Sequence, residues 1–149
     1  MKRQIDKYQV SLKVFIKNEK DEVLALKASD TGTMAGYYDF PGGRIDAEEF
    51  RTPFTDIVAR EIAEECGEVE FELGDRPVAL GRHLIPADPE KNAPEIHVLY
   101  VFFEAGMQKV SVTVSDEHTG YRWFDLSNTE LEKYFTSGNL EGAKMYLRR

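Results

Sequence analysis

The feature that most constrains this chain is a block of acid set into an otherwise apolar helical pattern, Arg60-Glu61-Ile62-Ala63-Glu64-Glu65-Cys66-Gly67. A helix turns about 100° per residue, so Glu61, Glu64 and Glu65 share one face as i, i+3 and i+4 neighbours. Like charges so placed repel by roughly a few tenths of a kcal/mol per pair. The fold must therefore set something cationic over that face. A hard divalent cation with oxygen ligands, Mg²⁺ or Mn²⁺, would remove the conflict. Arg60, four residues before Glu64, can brace that acid without neutralising the site. Val58, Ile62 and Cys66 lie on another side with the small Ala59 and Ala63 beside them, which suits packing on a sheet. Ile57 and Phe54 fall below the acid stripe, so the helix is expected to be covered on more than one side. Thr52-Pro53 reads as an N-cap followed by proline at the first helical position, and Gly67 as the stop.

Upstream, Pro41-Gly42-Gly43 follows the short apolar piece Tyr37–Phe40. Paired glycines let the backbone approach a ligand or metal closely. A strand, a glycine turn, an acidic loop and a carboxylate helix make a compact cation site able to bind diphosphate oxygens. The stretch resembles the signature of the Nudix hydrolases, which Gly43, Glu49, Arg60, Glu61, Ile62, Glu64, Glu65 and Gly67 match. Two departures stand out. Ten residues separate Glu49 from Arg60, three more than in the family pattern, and Glu68 takes the last apolar position. The extra residues lengthen the loop before the helix and leave the acid block intact; Glu48 is an alternative to Glu49.

This resemblance implies an α/β fold, an α/β/α sandwich with a mixed sheet between helices. It implies metal-dependent hydrolysis of a diphosphate linkage in a nucleoside diphosphate joined to a group X. The metal, Mg²⁺ or Mn²⁺, would be held by Glu61, Glu64 and Glu65, with the backbone carbonyl of Gly42 or Gly43 as a further ligand. In many members an acid on the loop before the last strand joins the metal or acts as base. Glu117, ahead of Tyr121-Arg122-Trp123-Phe124, is that candidate, with Asp116 second. Glu64, Glu65 and Glu117 are the candidates for the proton acceptor. Arg60 would orient acids, and Arg44 could touch phosphate. Tyr38 and Phe40 could stack a base, although strand aromatics more often belong to the core.

For X, the tyrosine of dinucleoside polyphosphate members and the coenzyme A signature are both missing. Pro86 stands near, though not at, the spacing of ADP-ribose members. Nucleoside triphosphates are the first expectation, with ADP-ribose and nucleotide sugars as the alternative. A non-catalytic ligand-binding module is the other class, and it would be expected to have lost metal acids that are all present here. Cys66, on the helix face with Ile62, argues against the isoprenoid-isomerase relatives. Homodimers are frequent among members, which leaves a homodimer open for this chain.

The net charge of −8 argues against broad attraction to nucleic acid or to an anionic membrane. The one cysteine rules out an internal disulfide. The start, MKRQIDKYQV, has no apolar run, and no stretch reaches the length of a membrane span. A cytoplasmic enzyme in one domain, residues 1–149, acting on a small nucleotide-type substrate is the expectation. His83, His97 and His118 are scattered without zinc spacing; His97 reads as a core residue, and His118, beside Glu117, could touch substrate.

Alternation predicts a strand over 9–17, with Val10, Leu12, Val14 and Ile16 on one face and Lys13 and Lys17 on the other. A turn at 18–21 and a return strand over 22–27 predict a hairpin. Residues 30–36 read as a loop that could reach over the ligand. Further strands are expected at 69–73, 78–85, 96–104, around Val110, Val112 and Val114, and at 121–126, with a loop over 86–94. Ser127 and Glu130 form a capping box for a helix through Phe135. Gly138-Asn139 reads as a break before a last helix over 140–149.

Overall fold

The computed structural model describes residues 2–108 and 111–148. Strand β1 (Tyr8–Lys17) sends Leu12, Val14 and Ile16 to one face and Lys13 and Phe15 to the other, and both faces are buried. The nearly unbroken apolar run of β7 (Ile96–Met107) lies parallel to it, in register from Tyr8↔His97 to Lys17↔Gly106. Such double burial is what a central parallel pair requires. Strand β2 (Val23–Ala28) closes the expected hairpin at Lys17↔Val23 and then diverges from β1. It pairs instead with β3 (Tyr38–Asp39) and β8 (His118–Phe124). The room it leaves beside β1 is filled by β4 (Gly42–Arg44), antiparallel to Ser11–Lys13. The glycine pair expected as a turn is therefore part of the sheet. Strands β5 (Phe71–Leu73) and β6 (Ala79–Ile85) both pair with β7.

Helix α1 (Phe54–Cys66) packs Ile57, Val58, Ile62 and Cys66 on one face of the sheet, against a cluster with Leu12, Val14, Ile16, Leu24, Leu26 and Phe103. The opposite face carries a second cluster around Phe15, Phe40 and Phe102. It is covered by the single turn α2 (Leu131–Tyr134) and by α3 (Ser137–Leu147). Helices thus cover both faces of a mixed sheet, the α/β/α sandwich that the sequence implied. Close approach of α3 to β6 needs glycine on both sides: a Cβ on Gly81 would run into the Gly138 carbonyl oxygen.

Several boundaries differ from the sequence reading. The cap of α1 is Pro53, whose carbonyl accepts from the Asp56 and Ile57 amides, so the expected cap at Thr52 lies one residue too early. Phe54 is exposed, and only Ile57 of that pair is buried. Residues 126–128 form a 3-10 turn, so the helix expected from the Ser127–Glu130 box shrinks to α2. Gly138-Asn139 does not break the chain but lies in the first turn of α3. No strand forms over residues 111–115; Val112 and Val114 follow an irregular path and pack on the α1-side cluster. Val110 lies outside the described residues.

Candidate active site

Helix α1 turns its acids toward β4. Glu65 is 7% exposed, and its Oε2 accepts from the Gly42 amide at 3.0 Å. Glu61 is 9% exposed and lies flat over Gly43, where a Cβ would stand 2.5 Å from Glu61 Oε1. Only glycine leaves room for that carboxylate. Glu64 is more exposed and is held by Arg60, which donates to its two oxygens at 3.1 and 3.2 Å.

The same guanidinium donates to both oxygens of Glu49, at 3.1 and 2.9 Å, and stands 3.4 Å from Glu61. Glu49 is delivered by a 3-10 turn over Ala47–Glu49, in which its Oε1 also accepts from the Asp46 amide at 3.0 Å. The longer loop thus folds into a turn that keeps Glu49 in contact with Arg60. Glu48 makes no such contact among the described residues.

The third wall is the irregular segment ahead of β8. A cleft of about 550 Å³ is lined by Gly42, Gly43, Arg44, Glu61, Glu64, Glu65, Ser115, Asp116 and Glu117. Acid helix, glycine strand and loop therefore meet in one concavity. Arg44 stands at its rim and donates to Gln9 Oε1 at 2.7 Å. Beyond Gln9 opens a larger concavity of about 800 Å³, between residues 4–9 and 94–97. It lacks clustered carboxylates of the α1 kind.

Burial pushes the Glu65 carboxyl up to about 8, even though Lys13 and the Gly42 amide favour its anion. Burial likewise raises Glu61, with Arg60 opposing. The Asp46 amide and Arg60 instead hold Glu49 below the usual carboxylate range. Among the described residues no three His, Cys, Asp or Glu side chains are already gathered as a metal cage. Glu64 is turned to Arg60, and Glu65 to the Gly42 amide. The donors nevertheless fit a hard divalent cation: all are oxygens, and they face one cleft.

The aromatic candidates sit elsewhere. Phe40 is fully buried, stacked on Phe135 at 4.8 Å and edge-on to Phe15 at 4.9 Å, so it offers no surface to a base. Tyr38 is half-buried and set edge-on to Phe124 and Tyr134. His97 is not a core residue: it is partly exposed, between Asp6 at 2.8 Å and Glu95 at 2.9 Å. His118, half-buried beside Glu117, has a buried Nδ1 without a partner among the described residues, and burial lowers its pKa. The sequence reading missed Lys13, whose ammonium is buried 2.9 Å from Asp39. Its place between Ser11 and Phe15 on one strand face was the available signal.

A family model described as the NUDIX domain matches residues 7–142. The chain belongs to the Nudix family. As a Nudix hydrolase it can be set beside solved structures of the same fold. A MutT protein from Methanosarcina mazei Go1 is 26% identical, with 97% of this chain and 95% of that one covered and a TM-score of 0.73. An ADP-ribose pyrophosphatase from Streptococcus suis 89-1591 is 21% identical, with 95% and 91% covered and a TM-score of 0.64. The Nudix domain of Shewanella oneidensis NrtR, solved with ADP ribose, is 15% identical, with 97% and 87% covered and a TM-score of 0.64. No curated protein matches the chain.

Proposed function

We propose that this Nudix hydrolase cleaves the diphosphate linkage of a nucleoside diphosphate joined to a group X, with nucleoside triphosphates as the first substrate class. The observation that carries this reading is the convergence of Glu61, Glu64, Glu65 and Glu117 with the Gly42–Gly43 backbone on one cleft. A divalent cation, Mg²⁺ or Mn²⁺, when bound there, would neutralise diphosphate oxygens and the charge that develops in the transition state. Glu61, Glu64 and Glu65 would hold it, with Glu117 and a carbonyl of the glycine pair as further oxygen donors. Arg60 keeps Glu64 and Glu49 aligned, so it acts as a positioning residue. Arg44, at the rim, is placed to meet a phosphate.

In the reaction, a water oxygen forms a bond to phosphorus and the bridging P–O bond breaks. The water proton goes to Glu64, Glu65 or Glu117, and the leaving phosphate departs with the electron pair of the broken bond. ADP-ribose is the second substrate class. Solved structures of this fold include an ADP-ribose pyrophosphatase and a Nudix domain in complex with ADP ribose.

The test is a pooled panel of nucleoside triphosphates, ADP-ribose and nucleotide sugars, incubated with Mg²⁺ or Mn²⁺ and read by mass spectrometry beside a chelator control. One substrate should disappear and a monophosphate should form only with metal present. Glu64→Gln should fold normally and lose about 10²-fold or more in turnover. Near-normal turnover of that variant would remove the site from the reaction. Tight binding without product would instead favour a ligand-binding module.

A further inference from the structure

Strand β1 enters the sheet at Tyr8, where its register with β7 begins at Tyr8↔His97. The residues ahead of it, 2–7, lie in no ladder and are exposed, the apolar Ile5 included. Among the described residues, their one long-range side-chain hydrogen bond joins Asp6 Oδ2 to His97 Nδ1 at 2.8 Å. On the other side of the ring, Nε2 stands 2.9 Å from Glu95 Oε2. An ionised carboxylate only accepts, and a neutral imidazole has a single N–H. Both contacts are therefore hydrogen bonds only when the ring carries two protons, and His97 sits as an imidazolium between two carboxylates. The bonds to Asp6 and then Glu95 hold its pKa above the ordinary 6.5, and the bond to His97 holds Asp6 below the usual carboxylate range.

The same segment is a wall. The concavity of about 800 Å³ runs between residues 4–9 and 94–97, and a second of about 450 Å³ extends toward Arg82, His83 and Ser137. Asp6, Tyr8 and His97 line both, so the Asp6–His97 bond stands in the partition between them. At its Gln9 end the larger concavity reaches the rim of the acid cleft, where Gln9 accepts from Arg44. Other charged and titratable groups surround the ring. Lys7 and Tyr8 come from the chain entering β1, Arg82 and His83 from β6, and Glu141 from α3. Arg82 is met by Glu141 at 3.6 Å, and burial holds His83 toward its neutral form. The Tyr8 ring lies 5.8 Å from the imidazole, which leaves Asp6 and Glu95 as its charged partners among the described residues.

We propose that residues 2–7 are a strap latched by the His97 imidazolium between Asp6 and Glu95, and that loss of one ring proton to solvent releases it. Below the ordinary histidine value the ring is charged whether or not the strap is seated, and the latch is at full strength. That strength is lost as pH rises through the higher value of the seated ring. The remaining N–H then serves one acid, and the bare nitrogen faces the lone pairs of the other. Glu95 is two residues from His97 in the chain and stays beside it. Asp6 is the acid that leaves, because its bond has to offset the ordering of a whole segment. At the acid end the latch weakens again, as pH falls through the lowered value of Asp6. Release removes the partition and joins the two concavities into one groove from the Arg44 rim to α3. The latch thus sets how much room lies beside the acid cleft, whatever that cleft hydrolyses.

The test follows the strap itself, by NMR on the full chain and without substrate. A nitroxide is placed on Gln4→Cys; the native Cys66 is fully buried and stays unlabelled. The label should broaden the amides of Glu95 and Ile96, which line the same concavity as Gln4, at pH about 6 and lose that effect by pH about 9. The carbon-bound ring protons of His97 should titrate above 6.5, with a midpoint that coincides with the loss of broadening. His97→Phe keeps a ring at this partly exposed position without either N–H, and it should give the released spectrum at both pH values. Asp6→Ala should do the same and bring the His97 midpoint down. The proposal falls if His97 titrates at or below 6.5, or if broadening is equal at the two pH values. It also falls if His97→Phe is broadened as the wild type is at the lower pH. Should His97→Phe fail to fold, undiminished broadening in Asp6→Ala at that pH overturns the latch.

Discussion

At the scale of single residues, the acid cleft stores an electrostatic tension at Glu65. Its carboxyl stands at about 8 against an ordinary 4.5, chiefly through burial. Between those values the folded chain holds a proton that the unfolded chain has released. The stability this group contributes is full below the ordinary value and is lost as pH rises through about 8. Metal-free protein should therefore lose stability across that window, and Glu65→Gln should flatten the loss by about 1–3 kcal/mol at the alkaline end. Urea melts at a series of pH values check this. An identical pH slope in the two proteins would deny Glu65 its raised pKa. Added Mg²⁺ should flatten the wild-type slope in the same sense, because a cation favours the anion.

At the scale of elements, the site is the meeting of α1 with β4, and the fit is set by a missing side chain. A Cβ on Gly43 would lie 2.5 Å from Glu61 Oε1, so Gly43→Ala must push that carboxylate aside. Misplacement of a group on this scale costs about 10²-fold in turnover. The expected result is a fall in kcat of that order, with the circular dichroism spectrum and melting cooperativity retained. A kcat near wild type would show that Glu61 does not need its present position. The rear of α1 is inert by comparison. Cys66 is fully buried, and burial pushes its thiol up to about 12, which fits a packing role.

At the scale of the whole molecule, α3 both closes the second face and seals a sheet edge. The Leu80 amide is met by Met145 Sδ at 3.3 Å and the Arg82 amide by Glu141 Oε1 at 2.8 Å. Side chains of a helix thereby occupy the groups through which an open β6 edge would add another strand. This contact depends on the Gly81–Gly138 approach. Gly81→Ala should lift α3 from β6 and cost about 1–3 kcal/mol in denaturant unfolding. Unchanged stability would show that the helix can shift without loss. Because Asn139 rides on the same first turn, the variant should also disturb its 2.8 Å bond to Asp39, the partner of Lys13.

The sequence by itself determined much of this protein. Acids at helical spacing set one face of α1 apart, the glycine pair permits close backbone approach, a period-two apolar run specifies β1 and a nearly unbroken one specifies β7. Local chemistry of this kind is readable because neighbours in sequence remain neighbours in space. The matching of Glu49 to Arg60 across the lengthened loop was not readable, since only a folded 3-10 turn brings them together. For Phe40 the sequence favoured the core over base stacking without naming its partners, and Phe15 and Phe135, distant in sequence, supply them. The segment after Lys109 shows the same limit: valines at alternate positions predict a strand, yet 111–115 finds no ladder partner and packs as irregular chain. Tertiary structure alone decided that Asp39, Lys13 and Asn139 share one buried group, because burial and partner choice depend on contacts between residues up to 100 positions apart.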